Sequence, residues 1–370
     1  MNLENILAHL PVDFFFLVVD KFLDINLPRL PNFYPIYHPH LSVKNSGYLL
    51  SQPETFDFIQ KTISYSGHKV AIIPFKPSAK IDFICKKNNW ICVGNPPSLN
   101  RFFENKINFP QIITNSHLPQ IPHISGPLNS KLLSIAEKKF NLPLVIQTHS
   151  GWAGNSTHLI KDLKKIFQII PHDTPTKISP YLIGYTLLNN CCLTSRGLLQ
   201  SPPALQYTGI PTLTSNPFST VGRQWPSLAP PKIIAKIQKL TTNFSETLKK
   251  YKYRGFFGLD FLVSKNIVYL LECNPRLTAS FAFYTDIELK NKLNPLFYFH
   301  LLEFCAPDQI KDLTNENRFD NKNIIGSEIT LKNKLSVTIN KYHDYKIFCH
   351  HLNPQHIDLS ILKNLQNEKN

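Results

Sequence analysis

Asp260 and Glu272 are the residues from which a chemical reading of this chain starts. They lie twelve positions apart in GFFGLDFLVSKNIVYLLECNPRLTAS, the stretch Gly255 to Ser280. Asp260 to Ser264 and Ile267 to Glu272 are two β-rich runs around Lys265-Asn266, which is a hairpin pattern. Pairing Ser264 with Val268 sets Asp260 directly opposite Glu272, whereas a two-residue loop sets them on a diagonal. Directly opposed residues hold their Cβ atoms about 4.5–5.5 Å apart, which is unfavourable for two carboxylates unless positive charge lies between them. Asn274 and Arg276 continue the same face at two-residue steps until Pro275 ends the ladder. Oxygen donors of this kind suit Mg2+ bridging nucleotide phosphates, and a guanidinium suits bidentate contact with a carboxylate or phosphate. The plainer alternative is a surface salt bridge between Glu272 and Arg276 with Asp260 solvated.

A second candidate is LVIQTHSGWAGNST, residues Leu144 to Thr157. It reads as a buried strand, a loop containing Gly151 and Gly154, and a helix from His158 to Ile170 capped by Ser156 or Thr157. Small residues let backbone N–H groups approach an anion, and a helix N-terminus adds favourable partial charge. The same pattern is also an ordinary turn. No Gly-Lys pair and no G-x-G-x-x-G occurs, so neither a Walker A loop nor a dinucleotide fingerprint is present. G-x-S-x-G and H-E-x-x-H are missing too, which removes two hydrolase classes. Lys106, in NRFFENKINFPQIIT, is by itself only a lysine on a surface-like segment.

These residues need a scaffold, and the rest of the chain predicts an α/β and α+β architecture. Phe14 to Val19, Val70 to Phe75 and Trp90 to Val93 are short apolar runs alternating with helical stretches such as Glu54 to Tyr65. That rhythm predicts an N-terminal parallel-sheet domain over residues 1–112, closed by the proline-rich stretch from Pro110 to Pro127. Beyond that boundary we expect a main domain, residues 113–305, followed by a C-terminal extension, 306–370. Within the main domain we expect a helix at Asn129 to Phe140 and strands at Leu144 to Gln147, Tyr181 to Leu188 and Cys191 to Thr194. Gln200 to Pro231 reads as a long loop or a flap over a site. Ile233, Ile237, Leu240, Phe244 and Leu248 recur at three- and four-residue steps in an amphipathic helix, Lys232 to Lys252. The extension is polar, with one strand-like stretch near Ile329 to Val337.

Composition narrows the class without choosing a partner. At 42% hydrophobic residues the 370-residue chain can bury a full core. The formal charge is +15, which alone permits nucleic acid, an anionic surface or a phosphate-rich ligand. Aromatic and basic residues are not interleaved as nucleic-acid modules require, so a nucleic-acid partner is not expected. Seven cysteines without C-x-x-C spacing argue for free thiols. Cys349, His350 and His351 are adjacent and cannot share one metal on a strand. No apolar stretch is long enough to span a bilayer, and the acidic N-terminus does not look like a secretory leader, so a cytoplasmic location without membrane contact is expected.

From about Trp90 to about Leu302 the sequence resembles the ATP-grasp superfamily, whose members form an acyl phosphate from a carboxylate and ATP before a nucleophile displaces phosphate. GLDF and VYLLECNPRLTAS carry the resemblance most specifically. It implies an N-terminal preATP-grasp domain, a two-subdomain ATP-grasp fold with subdomains of about 113–180 and 181–305, and ATP and Mg2+ as cofactors. Asp260 and Glu272 then bind the metal, Asn274 completes its site, and Arg276 contacts phosphate or the substrate carboxylate in the catalytic step. Lys106 matches the lysine that contacts nucleotide phosphates near the domain junction. Gly151 to Thr157, with Gly154 and Ser156, matches the mobile glycine-rich loop. KISPYLIGYTLLNN resembles the hinge, whose backbone near Tyr181 and Leu182 meets adenine. The segment LLQSPPALQYTGIP is similar to a branch containing peptide ligases. Two positions depart from the pattern: many members have Lys where Gln147 stands, and a ribose-binding acid where Thr186 stands. The resemblance thus implies an ADP-forming carboxylate–amine ligase acting on small molecules, with a nucleotide-binding relic as the alternative.

Overall fold

The computed structural model describes residues 2–18, 30–37, 45–149, 156–311, 313 and 316–330. They belong to one unit, Met1–Lys332; a second, Asn333–Asn370, lies outside the described residues, as do Cys349, His350 and His351.

The first layer is a parallel sheet of β1 (Val12–Leu17), β2 (Phe33–Ile36), β3 (Lys69–Pro74) and β4 (Ile91–Cys92), ordered β2-β1-β3-β4. β1 is buried along its whole length, which is why it reads as a continuous apolar run and does not alternate. Phe15, Leu17 and Ile72 face one cluster, with helices Pro53–Ser66 and Ala79–Lys87 supplying Ile59, Ile81 and Cys85. Phe14, Phe16, Ala71 and Ile73 face another, which joins the sheet to Phe281, Tyr284 and Phe297 of the C-terminal helices. β2 has only four residues and was not expected.

The second layer is a small antiparallel sheet of β5 (Ile124–Pro127), β6 (Leu144–Thr148), β7 (Thr157–Ile160) and β8 (Pro175–Pro180), ordered β5-β8-β6-β7. Helix Ser130–Phe140 covers one face, with Asn129 Oδ1 capping it by accepting from the Leu132 N–H at 2.9 Å. The helix expected from His158 to Ile170 is not there. Thr157 to Ile160 instead pair antiparallel with Leu144 to Gln147, and only Ile166–Ile169 are helical. β-branched Thr157 and Ile160 suit a pleated half-buried surface, and Leu144 finds its core partner in Ile160 across the ladder.

The third layer is a seven-stranded sheet of β9 (Tyr185–Thr194), β10 (Gly197–Gln200), β11 (Ala204–Thr208), β12 (Thr220–Trp225), β13 (Gly255–Ser264), β14 (Ile267–Asn274) and β15 (Gly326–Ile329). Its order is β14-β13-β9-β11-β12-β15, with β10 also on β9. The two strands expected at Tyr181 to Leu188 and Cys191 to Thr194 are one strand, because buried Asn189 and Asn190 continue it by bonding to Ser201 and Ser280. The stretch read as a loop or flap, Gln200 to Pro231, contains the β11–β12 hairpin. Helix Pro231–Lys250 buries Ile233, Ile237, Phe244 and Leu248 against this sheet, as its periodicity predicts. Among the described residues no helix is long and apolar enough to cross a membrane.

Candidate active site

Lys265 and Asn266 both have positive φ and join β13 to β14 as a two-residue turn, so Ser264 pairs with Ile267. With regular pairing that loop would leave Asp260 and Glu272 diagonal. A β-bulge next to Asp260 absorbs Leu271, however, and Asp260 stands directly opposite Glu272. The bulge also decides which way Glu272 points. Val268 and Leu270 are in the core, and unbroken alternation would send Glu272 and Asn274 into it after them. The extra residue reverses the parity, so Cys273 is buried and Glu272 and Asn274 share the face of Asp260.

On that face the charges interlock. Glu272 pairs with the Lys106 ammonium. Asp260 Oδ2 accepts from Asn274 Nδ2 at 3.0 Å, and Oδ1 accepts from Gln206 Nε2 at 2.6 Å. Asn274 Oδ1 accepts from Arg276 Nη2 at 3.1 Å, so its amide oxygen faces the guanidinium and its nitrogen faces Asp260. Arg276 Nε donates to Glu104 at 2.7 Å, Nη1 donates to the Leu277 carbonyl at 3.0 Å, and the guanidinium lies 5.2 Å from the Phe75 ring centre. Glu104 also pairs with Lys76. The loops are tied as firmly: Asn100 donates to the Pro275 carbonyl at 3.0 Å, and Asn95 accepts from the Arg254 N–H and donates to its carbonyl.

Burial and the facing Glu272 charge raise the Asp260 carboxyl well above its ordinary range. Burial acts in the same sense on Glu272, but the Lys106 ammonium outweighs it and holds Glu272 low. Burial opposes the charge on Lys106 also, and Glu272, with Asp260 and Glu104 behind it, reverses that and raises the ammonium. The two facing carboxyls are thus shifted in opposite senses, Asp260 up and Glu272 down.

The small sheet brings a different set. Gln147 on β6 lies between Thr157 on β7 and Lys177 on β8 as cross-strand partners. Gln147 Nε2 donates to Thr157 Oγ1 at 3.2 Å. Lys177 is pushed down to about 8 by burial and by Lys106, with Glu272 opposing. Ser156 is buried in the turn before β7, and Thr157 begins that strand, so neither caps a helix and the helix dipole expected beside the loop is absent. Gly151 and Gly154 lie outside the described residues. In the segment expected to form the hinge, the Tyr181 N–H is held by the Pro143 carbonyl at 3.0 Å, and Leu182 follows on the exposed loop before β9. Gly184 fits there because a Cβ would sit 2.2 Å from the Val263 carbonyl oxygen, while Ser264 Oγ donates to the Ile183 carbonyl at 2.7 Å. Thr186 faces the Gln206 carbonyl at 3.4 Å.

The structure thus gathers Asp260, Glu272, Asn274, Arg276 and Lys106, and sets Gln147 and Thr157 on the neighbouring sheet. Sequence reading missed Glu104, Gln206 and Lys177. Gln206 lies in LLQSPPALQYTGIP, but nothing in one sequence tells that β11 reaches the hairpin through β9.

The chain has the ATP-grasp fold: a parallel α/β layer, a small antiparallel sheet, and a large antiparallel sheet whose edge hairpin carries the carboxylates. A family model described as an ATP-grasp domain matches residues 214–280, from the loop before β12 to just past the hairpin. Biotin carboxylase from Campylobacter jejuni, in a β,γ-ATP complex, superposes with a TM-score of 0.58 at 13% identity, covering 81% of this chain and 72% of that one. N5-carboxyaminoimidazole synthetase from Staphylococcus aureus, complexed with ADP, gives 0.56 at 12% identity over 81% and 78%. Carboxyaminoimidazole ribonucleotide synthase from Aspergillus clavatus, complexed with ATP, gives 0.55 at 14% identity over 79% and 76%. No curated protein sequence matches the chain. At these identities the likeness is one of fold.

Proposed function

We propose that the protein is an ADP-forming ligase that binds ATP with Mg2+, activates a small-molecule carboxylate as an acyl phosphate and joins it to an amine. The observation that carries this reading is the direct opposition of Asp260 and Glu272 beside Lys106 and Arg276. ATP and ADP in the complexes of similar fold support the nucleotide.

The donor set fits a divalent ion. Ammonium and amide N–H groups now occupy the oxygens of Asp260 and Glu272, which marks where positive charge is stabilised. Among the described residues no group of three or more His, Cys, Asp or Glu could hold a metal. Asp260 and Glu272 would therefore share an ion whose other ligands are nucleotide oxygens, as Mg2+ prefers. Bound there, Mg2+ supplies neutralisation of the triphosphate charge as it shifts during phosphoryl transfer. Asn274 can turn its amide oxygen toward the same place, since amide O and N exchange roles by rotation. Lys106 holds Glu272 ionised and offers its remaining protons to phosphate. Arg276, fixed by Glu104 and Asn274, orients the acceptor carboxylate or the transferring phosphoryl group. The hinge at Tyr181 and Leu182 receives the base.

The test is ADP release over a panel of carboxylic acids and amines, with thermal shift in Mg·ATP alongside. Wild-type protein is expected to release ADP with at least one acid–amine pair. Glu272→Ala should keep its circular dichroism spectrum and lose turnover by about 10²-fold or more. Undiminished turnover in that variant overturns the metal assignment. Gln147, an amide where a cation would serve phosphate better, favours a second reading as a nucleotide-binding protein without turnover. Stabilisation by Mg·ATP with no ADP release on the whole panel would select it.

A further inference from the structure

Lys177 stands in the middle of the small sheet, on a strand flanked by β5 on one side and β6 on the other. The cross-strand partners Ser125, Lys177, Gln147 and Thr157 form one row. The adjacent row, Ile124, Ile178 and Ile146, packs with Leu133 and Ala136 of helix Ser130–Phe140. Alternation therefore puts the Lys177 row on the face away from that helix. No member of the row is acidic, and Gln147 already spends an N–H on Thr157. Among the described residues nothing accepts a hydrogen bond from the Lys177 ammonium or pairs with it. The one attractive charge acting on it among the described residues is that of Glu272, which Lys106 has already taken.

A half-buried ammonium on a central strand, beside a second ammonium and without an acceptor, is an unfavourable arrangement for the empty protein. It becomes favourable when an anion with several charges lies against both lysines. We propose that Lys177 is a polyphosphate-binding residue, contacting the phosphates of the bound nucleotide from the small sheet while Lys106 contacts them from the side of the hairpin. This rests on the ATP reading above. A lysine offers a compact charge with three donors, which suits a phosphate oxygen better than a planar carboxylate that needs a fork. The row also explains how the site tolerates Gln147: the cation is supplied one strand over, at the directly opposed position.

The experiment is calorimetric titration of wild type, Lys177→Met, Lys177→Gln and Lys177→Arg with Mg·ATP, Mg·ADP and AMP, together with melting of each unliganded protein. Met keeps the length of the stem and removes only the charge and donors. Both neutral variants should bind Mg·ATP roughly 10-fold to 100-fold more weakly, the range of a charged hydrogen bond. AMP affinity should change little, and Arg should restore part of the loss. The neutral variants should melt no lower than wild type, because an unpaired cation has gone. Equal Mg·ATP affinity in wild type and Lys177→Met overturns the proposal. So does an equal loss for AMP and ATP, which would make Lys177 a determinant of the sheet's shape. If wild type binds none of the three nucleotides, the ATP reading itself has failed, and the Lys177 assignment falls with it. Should Met and Gln not fold, Arg decides: full retention of Mg·ATP binding there supports a charge contact, and its abolition in a folded protein opposes one.

Discussion

The two walls that carry the candidate site are built on opposite plans. On the large sheet each charged group is answered within the protein: Glu272 by Lys106, Asp260 by Gln206 and Asn274, Arg276 by Glu104 and Asn274. On the small sheet the row through Gln147 and Lys177 has, among the described residues, one internal hydrogen bond and an ammonium left over. A closed network fixes side chains before a ligand arrives, and an open one gains its partners from the ligand. On the proposed reading, the wall that aims is settled in advance, and the wall that grips gains its partners from the anion.

Removing Arg276 is the harshest way to break that contrast. It sits at the centre of the closed network and is mostly buried, with 17% of its side chain exposed. Arg276→Ala would strand Asn274 Oδ1 and leave Glu104 with only Lys76. We expect a stability loss of about 3 kcal/mol, the scale for one deleted partner of a largely buried ion pair, with loss of turnover. Urea unfolding measures the first and ADP release the second. A change under about 1 kcal/mol would mean that the network is not closed and that the groups are solvated individually.

The same contrast governs what could be read in the sequence. β1 and helix Pro231–Lys250 were legible because burial on both faces, or on one stripe, imposes a period that residue types reveal. The hairpin was legible through Lys265-Asn266 and the opposed carboxylates. Its register was not, because a bulge at Leu271 leaves no mark in composition. The stretch from Thr157 to Ile160 was misread because four residues fit a first helical turn as well as a strand, and only pairing with Leu144 to Gln147 decides. Glu104, Gln206 and Lys177 reach the site from strands or helices distant in the chain, so only the topology reveals them.

A gentler test neutralises one carboxylate. Asp260 holds its proton more tightly folded than unfolded, so it erodes stability as pH rises from the ordinary carboxylate range toward its raised value. Glu272 has the opposite sign: its contribution is present above the ordinary range and is lost as pH falls toward its lowered value. Asp260→Asn should thus raise unliganded stability near pH 8 by of order 1 kcal/mol, equivalent to about 2–4 °C in Tm, and flatten the decline on the alkaline side. It should also abolish the Mg2+-dependent part of ATP binding. Lower stability at pH 8 would show that the Gln206 and Asn274 hydrogen bonds outweigh the repulsion, and the large-sheet wall would then be poised for folding and not for a cation.

The smallest effect expected comes from the change that looks most severe in sequence, deletion of Leu271. Ser264 pairs with Ile267 and Phe261 with Leu270, so the ladder on the turn side of the bulge is regular. On the other side Asp260 meets Glu272 and Gly258 meets Asn274, again regular, with only Leu271 unmatched between them. Deleting it joins the two halves in one register, keeps Val268, Leu270 and Cys273 on the buried face, and leaves Asp260 opposite Glu272. We expect stability within about 1 kcal/mol of wild type and retained Mg·ATP binding, read by urea unfolding and calorimetry. A folded deletion variant that no longer binds would mean that the local twist of the bulge aims Glu272 toward the small sheet. Opposition across the ladder would then be insufficient, and the two walls would meet only because one extra leucine bends the strand.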